Sequence, residues 1–527
     1  MVRALGAPPS LDLHHLPLDD PDRLLESLEC RGWRRLDRFA LTIHFGRYRF
    51  PSPHRYLSDK DIHRCLDYAA ACCVEDLHID MDDHFMWTCS SLSFPSGFSR
   101  LVRLSLLRVG SVSFGYSLSP DAFPALEVIH LRAAHSVNLN HLIWASPRLR
   151  TLDLRYCQSL DNAINIKAAR GHLWSITVAE CGRVRHIYAG TASGLISLRL
   201  SSALLPTYDI LSTAPLEDLY ICLRGRNYNP LKQWIQELPN LTNLTVLTIC
   251  SVALRRVFAL ARFGSATCLT KLRNLPSLRE LQLLMFATAS TNLAHIYMFL
   301  RTCRCPQLER LFVQLPTSSH DTSVGNSSEV VEEDEPAEVS EEDLDQVLSK
   351  EDEADEELSE EDEADEELSE EDETEEELSE EDETEEELLK EERVQEYMLE
   401  ERLLYEDAYE EDPLDENVPQ EEQSEEDLPE YGLNNLMIAK MMKFRGHYFE
   451  MRLVSFLLRK APGLKKLLLV APKGHIKALG KGTLDISHFI DSKLPRSRKA
   501  SPDAQIILSE TDFAASQPVH SDVFARF

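Results

Sequence analysis

One spacing dominates the chain between residues 74 and 315: an apolar residue, two variable ones, an apolar, one variable, and an apolar. It occurs ten times. The first five are Val74-Leu77-Ile79, Leu101-Leu104-Leu106, Leu126-Ile129-Leu131, Leu149-Leu152-Leu154 and Leu173-Ile176-Val178. The next five are Leu195-Leu198-Leu200, Leu216-Leu219-Ile221, Leu244-Leu247-Ile249, Leu278-Leu281-Leu283 and Leu308-Leu311-Val313. First positions are separated by 27, 25, 23, 24, 22, 21, 28, 34 and 30 residues. The last two apolars of each unit lie two apart and so share one face of a short strand. The first marks the turn into that strand. Segments between units carry helical spacing, as in Leu231, Trp234, Ile235 and Leu238 ahead of Pro239.

A single unit of this kind cannot bury its apolar face. Stacked units bury it against one another and pair their strands in parallel. Most of the steps fall in the 20–29 residue window of a leucine-rich repeat. Two further units, Leu433-Leu436-Ile438 and Leu464-Leu467-Leu469, follow much later in the chain. Between them Tyr448 to Lys460 reads as an amphipathic helix with Leu453, Val454, Leu457 and Leu458 turned inward, broken by Pro462 and Gly463. At the front Leu41, Ile43 and Phe45 alternate like a strand. The expected fold class is therefore α/β, a leucine-rich-repeat solenoid of about twelve irregular coils with a parallel sheet.

Charge changes this picture at one place. The chain has 527 residues and a formal net charge of −34, but 55 Asp/Glu and only 4 Lys/Arg fall between residues 329 and 430. The other 425 residues hold 34 acidic and 51 basic side chains, a mildly basic body. Within the acidic segment a ten-residue repeat places leucines at 348, 358, 368, 378 and 388. Ten residues turn a helix through about 1000°, so successive leucines are displaced by about 80° and form no stripe. The reading is a long disordered or helical insertion that interrupts the solenoid. The domains are then 1–35, an N-terminal remnant or cap; 36–315, the solenoid; 316–430, the acidic insertion; 431–475, repeats that continue the solenoid; and 476–527, a tail with a candidate terminal strand.

Composition also excludes several classes. With 43% hydrophobic residues the chain is not disordered throughout. No apolar run approaches 18 residues, so no membrane span is expected. The first fifteen residues do not read as an export signal, which makes the 12 cysteines reduced thiols of a cytoplasmic or nuclear protein. Cys157 and Cys181, each three past the last apolar of a unit, and Cys250, one past it, read as core-filling ladder residues.

No catalytic, cofactor-binding or metal-binding residue is assigned. His78, Asp80, Asp82, Asp83 and His84 are the densest metal-ligand cluster, but the positions that an EF-hand gives to Gly and Glu hold Phe85 and Ser91. Cys303 and Cys305 lack a second pair at zinc-site spacing. Gly474 to Thr483 has the wrong length for a phosphate loop and Gly482 where Ser or Thr would hold Mg²⁺. The remaining chemistry is recognition. Strand residues flanking the buried apolars face outward, and among them Arg132, Arg155, Arg199 and Tyr220 are the expected anchors for a protein partner. Ser340, Ser359, Ser369 and Ser379 precede acidic residues and are candidate sites for an acid-directed kinase. Nucleic acid and membrane are not expected as partners.

The arrangement resembles the plant F-box/leucine-rich-repeat/FBD family over most of the body. The C-terminal matches are Leu436-Met-Ile-Ala-Lys, Phe444-Arg-Gly-His, Leu453-Val-Ser-Phe-Leu-Leu-Arg-Lys-Ala-Pro, Leu464-Lys-Lys-Leu and, near the end, Ala500-Ser-Pro-Asp-Ala-Gln-Ile. Trp33-Arg-Arg-Leu and Phe39-Ala-Leu-Thr-Ile are similar to the region that follows an F-box. The resemblance implies a substrate-recognition protein of a ubiquitin ligase. The F-box, which docks the ligase adaptor, has no match in residues 1–32, so the expectation is recognition of a target without an adaptor partner. The acidic insertion is not a usual feature of the family. The alternative is an acidic leucine-rich-repeat protein that binds histones or other basic proteins through residues 329–430, similar in plan to the acidic leucine-rich nuclear phosphoproteins.

Overall fold

The structure is a computed structural model. It describes residues 10–16, 21–44, 58–82, 91–114, 119–223 (bar 121, 159, 170–171 and 203–205), 235, 238–262, 271–286, 295–296, 299–300, 303–316, 433–474, 500–512 and 516–521. Ser340, Ser359, Ser369 and Ser379, with the rest of the acidic segment, lie outside the described residues, as do Phe45, Leu231 and Trp234.

Fifteen strands form one sheet, and their order in space is their order along the chain. They are Ser10–His15, Arg38–His44, Asp76–Asp82, Arg103–Leu107, Val128–Arg132, Thr151–Arg155, Ser175–Ala179 and Ser197–Ser202 in the first half. Asp218–Leu223, Val246–Cys250, Glu280–Leu284, Arg310–Gln314, Ile438–Met442, Lys466–Val470 and Gln505–Ser509 complete it. Every neighbouring pair is parallel. The architecture is α/β, a long parallel sheet whose return segments are helices and loops. Along those returns two small parallel sheets form, one from Ser91–Phe94, Ser111–Phe114 and Ser136–Val137, the other from Ala163–Asn165, His186–Ala189 and Thr207–Ile210.

The apolar spacing sets the register. Leu104 pairs with Ile129, Leu152 with Ile176, and Leu198 with Leu219, so equivalent positions of successive units lie side by side. A slip of one residue would turn each of these side chains to the opposite face. All thirty members of the ten units between Val74 and Val313 are at most 2% exposed. Cys157, Cys181 and Cys250 are buried beside them.

The turn that leaves the strand also repeats. Arg108, Ala133, Tyr156 and Glu180 each follow a strand end with φ between 54° and 57° or, at Ala133, 53°. The N–H of Arg108 donates to Arg132 O at 2.7 Å, that of Ala133 to Arg155 O and that of Tyr156 to Ala179 O, both at 2.8 Å. Each of these units thus holds a left-handed residue against the end of the next strand. A side chain there costs about 1–2 kcal/mol that glycine would avoid.

Two sequence expectations are corrected. In the unit after the acidic segment, Leu311 pairs with Ala439 and Val313 with Met441. The inward set is Leu436, Ala439 and Met441, and Ile438 is only half-buried. Alanine is too small to stand out in a leucine pattern, which is why the spacing pointed three residues early. At the front, residues 10–15 are already a strand of the sheet, and Leu25 and Leu28 of the helix Pro21–Arg31 are buried. The sheet therefore begins before residue 36. At the far end the candidate terminal strand of the tail is Gln505–Ser509, the last strand of the sheet.

The helix Tyr448–Lys460 buries Leu453, Val454, Leu457 and Leu458. Its start explains the Phe444-Arg-Gly-His stretch. Phe444 is buried, Gly446 takes φ 77°, and the N–H groups of Arg445, Gly446 and His447 converge on Glu450 Oε2 at 2.8, 2.8 and 3.3 Å. Burial pushes the Glu450 carboxyl above its ordinary range, against the opposing pull of those donors.

Two substitutions separate packing from backbone strain. Leu152→Ala, at a fully buried position, is expected to cost about 2–5 kcal/mol in urea unfolding. Ala133→Gly is expected to cost nothing, or to raise stability by up to about 1 kcal/mol, because relief of the left-handed strain offsets the entropy of glycine.

Candidate functional site

The outward face of the sheet is read from the middle residue of each of the twelve strands from Asp76–Asp82 to Lys466–Val470. In chain order these are His78, Ser105, His130, Asp153, Thr177 and Arg199, then Tyr220, Thr248, Gln282, Phe312, Lys440 and Leu468. The two halves of that row differ. In the first, His78, His130, Asp153 and Arg199 are partly accessible and small Ser105 and Thr177 sit down between longer neighbours. In the second, Tyr220, Thr248, Gln282, Phe312 and Lys440 are all 0% exposed.

The accessible half carries paired charge. Arg108 grips Asp80 with two bonds of 2.8 and 2.7 Å. Arg155 does the same to Asp153 at 2.8 and 2.9 Å. Arg199 places Nε and Nη2 on one oxygen of Asp218 at 3.0 and 2.7 Å, and Ser197 Oγ donates to that oxygen at 2.8 Å. Among these His130 is half-buried. Burial lowers its pKa, Asp153 opposes the shift, and Arg103 and Arg155 reinforce it, so the ring is held toward its neutral form. Beside it Arg132 is exposed.

The covered half lies under the end of the chain. After the last strand, residues 510–512 and 516–521 return across the sheet. Lys440 Nζ forms an ion pair with Asp512 and donates to Ser516 O at 3.2 Å. The N–H of Val519 donates to Glu280 Oε1 at 2.6 Å. His520 lies over two neighbouring strands: its Nδ1 meets Thr248 Oγ1 at 2.6 Å, its Nε2 contacts Asp218 Oδ1, and its ring stands edge-on to Tyr220 with centroids 5.5 Å apart. Glu280 also pairs with Arg310. Burial raises the Glu280 carboxyl, opposed by the Val519 N–H and the Arg310 charge.

The four expected anchors therefore have different fates. Arg132 is exposed on the open half. Arg155 and Arg199 are on the same half, but each is already neutralised by a carboxylate, so neither is a bare cation. Tyr220 is a correction: the ring of His520 covers it, and it is 0% exposed, so it offers no surface to a partner. The residues that sequence reasoning missed are the tail contacts, Asp512, Val519 and His520, with Glu280, Thr248 and Lys440 beneath them. One signal was present. Tyr220, Phe312 and Leu468 put large apolar groups at strand centres that face outward, and such a row calls for a cover.

Among the described residues no group of three or more His, Cys, Asp and Glu is placed to hold a metal ion. Asp80, the centre of the cluster weighed from sequence, is engaged by Arg108 instead, and Asp83 and His84 lie outside the described residues. Among the described residues no helix is long and apolar enough to cross a membrane.

Asp218 joins the two halves and makes the tail contact sensitive to acid. Burial alone would raise its carboxyl, but the His520 ring and the Arg199 guanidinium outweigh burial and hold it below its ordinary 3.8. A depressed carboxylate contributes stability above its unfolded pKa, and that contribution is lost as pH falls through the folded value. In urea unfolding, the loss of stability from pH 7 to about pH 3 is thus expected to be smaller for Asp218→Asn than for the unaltered chain. An equal loss would show that Asp218 carries no such linkage. Comparison of the chain with protein-family models, with curated proteins and with solved structures returned no match.

Proposed function

We propose that the protein is a non-catalytic scaffold, a leucine-rich-repeat solenoid of about twelve or more coils, that binds a protein partner on the open half of its sheet face. The observation that carries the reading is the band from Asp80 to Arg199. There, parallel strands roughly 4.8 Å apart present His78, Asp80, Arg108, His130, Arg132, Asp153 and Arg155 along one surface. Bidentate pairs on neighbouring or alternate positions hold these side chains in place, which lowers the entropy lost when a partner docks. Mixed charge of this kind favours a partner with a complementary pattern over a uniformly charged one. The likeness to plant F-box/leucine-rich-repeat/FBD proteins supports a target of ubiquitination as that partner, in the cytoplasm, the nucleus or both. In this reading the open half of the sheet face supplies the recognition surface.

A second reading rests on a different observation, the 55 acidic residues between 329 and 430. A segment of that charge would draw histones or other basic proteins, and its binding would weaken steeply with salt. Affinity capture from cells separates the two. For the sheet-face reading, the captured partner survives deletion of 329–430 and is lost, at least tenfold, in the double variant Arg132→Glu/His130→Glu. Capture that persists in the double variant and disappears with the deletion would transfer the function to the acidic segment.

A further inference from the structure

The covered half of the sheet has two properties that an ordinary core lacks. Its polar groups have partners within the sheet as well as in the tail. Asp218 is held by Arg199, Glu280 pairs with Arg310, and Thr248 Oγ1 donates to Gln282 Oε1 at 3.2 Å. If the tail lifts, those three sites keep their in-sheet contacts and regain water. Lys440 is the exception, since its ammonium meets Asp512 and Ser516 of the tail. The second property is that the tail is one layer deep: beneath it His520 is 2% exposed, while its neighbour Val519 is 49% exposed. The contacts fix a direction and a spacing. A carboxylate meets Lys440 at one end, a main-chain N–H meets Glu280, and an imidazole meets Asp218, Thr248 and Tyr220 at the other end, eight residues after the carboxylate.

We propose that this half of the sheet face is a preorganised groove for an extended polypeptide, that residues 510–512 and 516–521 occupy it in cis, and that its ligand in trans is a partner segment bearing a carboxylate and, eight residues further on, an imidazole. The groove is distinct from the open band assigned to the partner above and stands whether or not that assignment does. Sheet and tail meet through side chains of Lys440, Glu280, Thr248 and Asp218, so specificity comes from those four positions, and Tyr220 and Phe312 supply the apolar floor.

The test uses the full chain and, as probe, a labelled synthetic peptide of residues 510–521. In the double variant Asp512→Asn/His520→Ala the cis segment loses both end contacts. The folded variant is expected to bind the peptide one-to-one and at least tenfold more tightly than the unaltered chain does. A peptide carrying the same two substitutions is expected to bind at least tenfold more weakly. No binding to the folded variant, or equal binding by the unaltered chain, would overturn the proposal. Should the variant fail to fold, hydrogen exchange on the unaltered chain decides. The amides of 516–521 are expected to exchange through openings that leave the strands Ile438–Met442 and Lys466–Val470 protected. Exchange of tail and strands only together would show that the tail is a fixed part of the core and no exchangeable occupant.

Discussion

Burial of three apolar side chains per unit is the constraint on which the rest depends. A five-residue strand with two inward apolars cannot hide them alone, so each strand needs a neighbour on both sides. Parallel pairing with equivalent positions aligned satisfies every unit at once, as in Leu152 against Ile176 and Leu154 against Val178. The same alignment forces all outward residues into rows. Function follows from those rows, because a residue at the centre of one strand stands beside the centres of the next two. The paired charges Asp80–Arg108 and Arg199–Asp218 are contacts between strands that the packing has already brought into line.

Because each unit depends only on its neighbours, the stack accepts interruption. Residues 315 and 433 are far apart in sequence, yet Arg310–Gln314 and Ile438–Met442 pair as if consecutive. Closing a long loop costs little more than closing a short one, about 0.6 kcal/mol for each doubling of length. The apolar contacts of Leu311, Val313, Ala439 and Met441 are ample against that cost. A highly charged stretch of sequence can therefore fall between two units while the strands on either side of it still pair.

The periodic part of the structure was legible because it is local. Ten units, their strands and the helix Tyr448–Lys460 follow from residues within one repeat of each other. Ala439 was missed because an alanine in an inward position carries little hydrophobic signal. Ser10–His15 was missed because it offers only two apolar residues, Leu11 and Leu13, which are partly buried at the sheet's end and lie outside the repeat spacing. The pairing of Arg155 with Asp153 was readable, since residues two apart on a strand share a face. The fate of Tyr220 was not, for its cover comes from a residue 300 positions later.

That long-range contact is of a different physical kind from the repeat. A stack of nearest-neighbour units gains stability one interface at a time and can open from either end. The tail breaks that independence. His520 touches Asp218–Leu223 and Val246–Cys250, Val519 reaches Glu280–Leu284, and Ser516 and Asp512 hold Ile438–Met442. A single segment thus bonds to four of the five successive strands that begin at Asp218, so none of those four can leave the sheet without losing a contact to it. The half of the face that the tail covers is accordingly the more strongly coupled half. The half from Asp76 to Ser202, held by pairwise contacts between neighbours, is the half left accessible.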